Sequence, residues 1–247
     1  MSSKRSPTRL HWSAPLAFLG ILAVLALEQF TGTDMAIQNR LYDAASHSWL
    51  IDPAAPLPRF FLYRLPKNLL WAFGLAVLVL AAGPARWRQR FQLERRDLWV
   101  LFTAMALVPL SVGAVKSVSR VYCPYELSCF GGEVAYVKIF SAYAPEDRPE
   151  RPGRCFPAAQ ASGGFALMGL LAIGTAKRRY LRGFLWGSGV GWFLGLYQMA
   201  RGAHFLSHTL TSWLWAWLLV VLIDHFWPRP ALPAPAGSSE PATIPPR

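Results

Sequence analysis

The sequence predicts an all-α integral membrane protein, a six-transmembrane-helix bundle with outer-face loops. Three observations carry that expectation. The 247-residue chain is 53% hydrophobic and only 15% charged, against roughly 25% charged residues in soluble proteins. Six uncharged stretches approach the roughly 20 apolar residues that cross a bilayer. Basic residues also gather in alternate connections between those stretches. Global disorder is excluded, because disordered chains are poor in apolar and aromatic residues. A secreted disulfide scaffold is excluded as well, since three cysteines cannot hold a chain of this length together.

Taken in order, the first stretch is Leu10–Leu27, preceded by Lys4, Arg5 and Arg9. Pro15 and the run ending at Glu28-Gln29-Phe30 fit a retained helix better than a cleaved leader, and no small-x-small site follows at once. The second, third, fifth and sixth stretches are Asn68–Ala85, Leu98–Val115, Gly183–Ala200 and Phe205–Ile223. The fourth, Cys155–Ala176, opens on Pro157, Gln160 and Ser162, so its helix is expected to start near Ala158. Between the first two spans an interfacial helix is expected over Asp34–His47. A second long connection runs from Lys116 to Arg154, and a very short one joins the last two spans at Arg201–His204. The chain thus divides into a cytoplasmic N-terminus (1–9), a six-helix domain (10–227) and a disordered tail rich in Pro, Ala and Ser (228–247). The symmetric, Gly/Pro-interrupted halves of a transporter are not visible.

Charge sets the orientation. With the N-terminus inside, the inner segments hold 14 basic and 4 acidic residues, a net +10, and the outer segments hold 11 and 9, a net +2. The inner loops Arg86–Arg96 and Lys177–Arg182 carry most of the asymmetry. This positive-inside pattern places both termini in the cytoplasm of a multi-pass protein of the bacterial inner (plasma) membrane. The net charge of +12 is therefore a topology signal, and no nucleic-acid partner is expected.

The outer connections bring costly polar residues to one membrane face. Lys116 ends the third span, Pro157 to Gly164 opens the fourth, and Arg201, His204 and His208 lie between the fifth and sixth. Ionisable groups at a membrane default to functional readings. The competing reading is that Lys116 and Arg201 only snorkel to lipid headgroups.

These segments are Lys116 through Cys123-Pro124, Pro157-Ala158-Ala159-Gln160, and Gln198 through Arg201 and His204 to His208. In order, spacing and placement they resemble the type 2 phosphatidic acid phosphatase superfamily of membrane lipid phosphatases, whose pattern is KxxxxxxRP, PSGH and SRxxxxxHxxxD. The resemblance covers about residues 30–225. It implies a phosphatase or phosphotransferase that acts on a lipid phosphate or diphosphate (polyprenyl diphosphate, lipid A or phospholipid) at the periplasmic face. The third-motif His, His204 here, would attack phosphorus and become phosphohistidine. Lys116 matches the phosphate-holding Lys. No cofactor is implied, and the oligomeric state is left open.

The departures are as informative. The residue four after the nucleophile is acidic in the family and is His208 here, on the same helix face. A neutral His208 can accept a hydrogen bond from His204 but offers no negative charge. Cys123 stands in the place of the first-motif Arg and Gln198 in that of the third-motif Arg, so Arg201, one turn on, becomes the second phosphate holder. Arg120 and Arg154 are reserves on the outer face. In the second motif, Ala158 and Ala159 replace Ser and Gly, and Gln160 replaces the His that protonates the leaving oxygen. An amide donates a hydrogen bond but delivers no proton, and losing a general acid costs about 10²–10⁴-fold. Ser162, Gly163 and Gly164 are expected to offer backbone N–H groups to an anion at the helix start. A diphosphate, whose leaving group is phosphate, suffers less from the missing acid than a monoester.

His204 and His208 also stand at the i,i+4 spacing of a metal pair. No Glu or Cys neighbours them in the sequence, so no metal is expected. Cys123 and Cys155 bracket the outer loop beside the first and second motifs and are the disulfide candidates in an oxidising compartment. Cys129 is the odd thiol, and three buried thiols is the other reading. Gln160 and Ala158 favour a different class of function, a catalytically impaired relative that binds lipid headgroups or a partner protein.

Overall fold

The computed structural model describes residues 8–145, 148–173 and 179–227. Lys4, Arg5, Lys177, Arg178 and the tail from 228 onward, with its Arg229 and Arg247, lie outside the described residues. The chain is mostly helical. Helix α1 spans Thr8–Phe30 and α2 spans Thr33–Leu41. A two-stranded antiparallel hairpin follows, β1 (Tyr42–Asp43) against β2 (Ser48–Trp49). Helices α3 (Pro56–Arg59) and α4 (Leu65–Ala82) are joined through a π-helical turn at Phe60–Arg64. The remaining helices are α5 (Ala85–Arg90), α6 (Arg95–Val118), α7 (Ala159–Phe165), α8 (Arg179–Ala200) and α9 (Leu206–Phe226).

Among the described residues four helices are long and apolar enough to cross a membrane: Ser13–Phe30, Pro56–Ala82, Arg95–Val118 and Leu206–Phe226. Three of them expose large apolar side chains, such as Leu16, Trp71, Leu75 and Leu110. Exposed apolar surface of that extent is what lipid, not water, covers. The two other expected spans take different forms. Helix α8 is 22 residues long, but five glycines and two arginines dilute its hydropathy. Within its described residues the fourth stretch forms a helix over Ala159–Ala172, of which Ala166–Ala172 is 3₁₀. At about 1.5 Å per α-residue and 2.0 Å per 3₁₀-residue it reaches about 25 Å, close to the ~30 Å hydrocarbon core.

That short helix is the centre of the fold. Ala158, Ala161, Phe165, Ala166, Met168 and Leu171 form one buried cluster with Ala104 and Val108 of α6 and Ala216 and Val220 of α9. Helix α8 closes the fourth side through glycines at a spacing of four. A Cβ on Gly183, Gly187 or Gly191 would fall 2.4 Å from Leu171 N, 2.4 Å from Met168 N and 1.9 Å from Phe165 Cδ1. Small residues at this spacing let two backbones approach as closely as helices in membranes do. Helix α1 packs on α9, and α4 packs on α6.

The end of the bundle where α9 finishes holds a buried ion network. Arg96 Nη1 lies 2.6 Å from Asp224 and 3.3 Å from Asp97, and Tyr180 donates to Asp224 at 2.8 Å. Arg88 donates to the carbonyls of Leu80 and Gly83, and Arg95 to that of Ala81. These donors satisfy the open C-terminus of α4. Part of the Arg86–Arg96 charge therefore has a local duty besides setting topology.

The opposite end is capped by the two long connections. The expected interfacial helix over Asp34–His47 is corrected: it stops at Leu41 and gives way to the hairpin. Tyr42 and Trp49 of that hairpin meet with ring centroids 4.8 Å apart, and Phe130 of the other connection lies 5.3 Å from each. This aromatic cap joins segments far apart in sequence and roofs the residues described next.

Candidate functional site

The site is built where the C-terminal ends of α6 and α8 meet the N-terminal ends of α7 and α9. Helix α8 closes with Arg201 N–H donating to Tyr197 O, Gly202 N–H to Met199 O and Ala203 N–H to Gln198 O. Gly202 has a φ of +72°, and a Cβ there would strike the Trp49 ring at 2.3 Å. Only glycine satisfies both the left-handed backbone and the close approach. The turn is pinned from outside by Ile51 N–H to Ala200 O, Tyr125 N–H to Gly202 O and Gln38 Nε2 to Met199 O. It presents Arg201 and His204 in a fixed relation to the first turn of α9.

That first turn is held by Asp34, which the sequence marked only as the start of an interfacial helix. Asp34 of α2 is buried and accepts from Ser207 N at 3.0 Å and from Ser207 Oγ. It caps the N-terminus of α9 from another helix, where a carboxylate also meets the favourable end of the helix dipole. Burial pushes the Asp34 carboxyl above its ordinary range, and the two Ser207 hydrogen bonds pull it back. Ser207 immediately precedes His208 in α9, so Asp34 acts on the site through the helix.

His204 and His208 are both buried, and their Nδ1 atoms lie 3.4 Å apart. Burial lowers the His204 imidazole well below the usual histidine value, with His208 and Lys116 adding to the effect and a hydrogen bond to the Cys155 backbone opposing it. His204 is thus held neutral. Lys116, at the end of α6, supplies positive charge felt by the imidazole of His204, and Glu126 stands near it. Cys123 and Cys155 are joined by a disulfide. It ties the segment after α6 to the one before α7, where Cys155 N–H also donates to Val121 O at 2.8 Å. Cys155 Sγ lies 3.5 Å from His204 Nδ1. A cysteine therefore does stand beside the histidine pair in the fold, although none does in the sequence. Cys129 is free and exposed.

Arg201 lies between two tyrosines, its guanidinium carbon 5.9 Å from the Tyr63 ring and 5.8 Å from that of Tyr197. Its Nε is buried with no hydrogen-bond partner, as are Gln198 Oε1 and Tyr197 Oη. Gln160, on the first turn of α7, donates through Nε2 to Tyr63 O at 3.4 Å. Tyr63, in the π-helical turn, was not a candidate from sequence, because its proximity depends on how the α3–α4 segment crosses α7.

Ser162 and Gly163 sit differently from their expected role. Helix α7 starts at Ala159, so Ser162 is already in its second turn. Its N–H donates to Ala158 O and its Oγ to Ala159 O at 2.7 Å. A Cβ on Gly163 would approach Leu70 of α4 at 3.7 Å. The expectation that Ser162 offers a free N–H to an anion is corrected: the open amides of this helix start belong to the turn that carries Gln160. Ala158 N–H itself donates to His208 O at 3.3 Å, locking α7 against the site.

A small cleft reaches His208 from the side of the capping loops, with Glu28, Tyr122, Tyr136 and Tyr143 in its walls. Its lining has an acid and no lysine or arginine, which does not suit a phosphate. Burial raises the Tyr143 phenol to about 12. Of the cationic groups, Arg201 acts on His204 and Lys116 on both histidines.

A protein-family model described as the PAP2 superfamily matches residues 97–231. That range runs from the first turn of α6 past the end of α9 and contains Lys116, Cys123, Cys155, Gln160, Arg201, His204 and His208, while Glu28, Asp34, Gln38, Trp49, Ile51 and Tyr63 precede it. No curated protein and no solved structure matches the chain.

Proposed function

The chain belongs to the PAP2 superfamily, and from that membership we propose that it is a lipid phosphatase or phosphotransferase with His204 as nucleophile. Membership supports a phosphatase-type function on lipid phosphates in general. One observation supports the assignment of roles most: His204 Nδ1 lies 3.4 Å from His208 Nδ1. With the Nδ1 proton engaged by that neighbour, the lone pair is on Nε2, as an attacking nitrogen requires. Burial and Lys116 keep the ring unprotonated.

In the proposed reaction Nε2 of His204 forms a bond to phosphorus as the bond to the leaving oxygen breaks. Lys116 and Arg201 hold the non-bridging oxygens, and the unpartnered Nε of Arg201 is a ready donor for one of them. Water then releases phosphate from the phosphohistidine. Ser162 and Gly163 support the α7 backbone in this scheme and do not touch the anion. Gln160 stands where a general acid would act, and its amide has no proton to deliver. The reading therefore favours diphosphates, such as a polyprenyl diphosphate, over monoesters such as a phosphatidic acid or lipid A phosphate.

The remaining proposals concern placement. In this reading the chain makes six membrane passages, the 14-residue central helix and α8 completing the four longer spans, with the site at the periplasmic face of a bacterial inner membrane and both termini in the cytoplasm. The positive-inside distribution supports this orientation. The second reading, a catalytically impaired member that binds lipid headgroups or a partner protein, rests on Gln160 and Ala158. Phosphate release by detergent-purified protein from a panel of lipid mono- and diphosphates separates the two. The enzyme reading expects diphosphate turnover that His204→Ala abolishes. Parent activity equal to His204→Ala on every lipid would establish the impaired reading.

A further inference from the structure

The disulfide and the proposed nucleophile touch, and this contact has a chemical consequence. Cys155 Sγ lies 3.5 Å from His204 Nδ1, which lies 3.4 Å from His208 Nδ1. The donor atoms of all three residues fall within 4.8 Å of one another, and all three residues are buried. A tetrahedral zinc ion with Zn–S of about 2.3 Å and Zn–N of about 2.0–2.1 Å sets its ligands about 3.6 Å apart for S···N and about 3.4 Å for N···N. The Cys155–His204 and His204–His208 contacts match those edges, and the third pair, within 4.8 Å, closes toward about 3.6 Å when an ion binds. A bridged sulfur is a poor metal ligand, whereas a thiolate is a strong one.

We propose that Cys155, His204 and His208 form a redox-gated site for a divalent cation of the zinc class, closed while Cys155 is bridged to Cys123 and opened by a dithiol reductant. In the opening step the dithiol supplies two electrons and two protons. The Cys123–Cys155 S–S bond breaks, each sulfur gains a hydrogen, and the dithiol becomes a disulfide. Binding the cation then releases the Cys155 thiol proton and leaves a Cys-His-His set with its fourth position open. The thiolate is essential to the balance of charge. Lys116 lies close enough for its charge to act on His204, so two neutral histidines alone face an unfavourable field. The thiolate offsets it.

The consequence for catalysis rests on the reading of His204 as nucleophile. A neutral imidazole that gives the lone pair of Nδ1 to a metal carries its proton on Nε2. Nε2 then has no lone pair with which to attack phosphorus. Reduction in the presence of zinc would thus switch the enzyme off, and thiol–disulfide exchange with a disulfide oxidant, which takes up two electrons and two protons as the Cys123–Cys155 bond re-forms, would expel the ion and restore activity.

The experiment uses full-length detergent-purified protein carrying Cys129→Ser, which removes the exposed thiol. Cobalt(II) serves as a spectroscopic probe and zinc(II) as competitor. The oxidised protein is expected to bind no cobalt. After dithiol reduction it should bind about one per chain, with a thiolate-to-cobalt charge-transfer band and intense tetrahedral d–d bands. Cys123→Ser should show these bands without reductant, and Cys155→Ser should lack them even with it. His204→Ala and His208→Ala should each lose the tetrahedral bands. Phosphate release in parallel should fall on adding zinc only to the reduced protein or to Cys123→Ser. A reduced protein that remains monodisperse on size exclusion and gives no thiolate–cobalt band overturns the site. Bands that persist in Cys155→Ser overturn it equally. The spectra read metal binding whether or not the protein turns over lipid. A bound cobalt with unaltered phosphate release would instead overturn His204 Nε2 as the nucleophile.

Discussion

Substituting Gly187 by alanine is the sharpest test of how the central helix is held. The added Cβ would fall 2.4 Å from Met168 N and 2.5 Å from Met168 Cγ. The first of these is backbone and cannot rotate away, and Met168 is itself fully buried. Helix propensity alone favours alanine by about 0.8–1.0 kcal/mol. Overpacking a close-packed interior costs about 1–3 kcal/mol, and a backbone contact belongs at the upper end. The net loss should be about 1–2 kcal/mol, which lowers Tm by about 2–8 °C for a chain of this size. Gly189 is the internal control, two residues on in the same helix, with nothing within 4 Å of its would-be Cβ. Gly189→Ala should leave Tm unchanged or raise it. Thermal melts of both variants in one detergent, read by aggregation-insensitive fluorescence, give the comparison. If Gly187→Ala melts with Gly189→Ala, the close approach of α8 to the central helix is not what stabilises the bundle.

Three further outcomes are expected. Restoring the second motif with Ala159→Gly and Gln160→His should raise monoester turnover, by up to about 10²–10⁴-fold where the general acid is all that is missing, with a smaller effect on diphosphates; equal gains on both substrates would refute the leaving-group argument. Asp34→Ala removes both hydrogen-bond acceptors of buried Ser207 and should destabilise the protein by about 1–3 kcal/mol, while Asp34→Asn, which keeps one acceptor, should lose less in the same melts. Because burial depresses the His204 pKa below its ordinary 6.5, the neutral ring adds stability above that pH, lost as pH falls toward the folded value. The acid limb of kcat/KM on a diphosphate should likewise fall below pH 6.5, and a limb at or above 6.5 would show that His204 is not the group titrating.

The mechanism ties these tests to one another. The disulfide, the Gly202 turn and the Asp34 cap each fix one of the segments that carry Cys155, His204 and His208. Loosening any of them moves donor atoms that now stand 3.4–3.5 Å apart. Misplacement by about 1 Å at such a site costs on the order of 10²-fold in rate. The glycine stripe has the same importance at longer range, since α8 delivers Arg201 at its end.

By itself the sequence determined the membrane class, the position of the long apolar helices and the chain order of the polar motifs. These follow from composition and from spacing within one helix, which local chemistry governs. The pairing of His204 with His208 was expected from a shared helix face, but His204 lies in the turn before α9 begins at Leu206, so it is the turn that brings the two rings together. The four-residue recurrence of Gly183, Gly187, Gly191 and Gly195 was not read from the sequence, and its close-packing role emerged only from the structure. The tertiary structure alone decided what lies across from each of these. Asp34 reaches Ser207 across 173 residues of chain, Cys155 reaches His204 across 49, and Gln160 reaches Tyr63 across 97. No periodicity encodes such separations, because they depend on which helix faces which. The same holds for the central helix: its apolar residues announce burial, but only a neighbour made of glycine lets 14 residues serve as the core of the bundle.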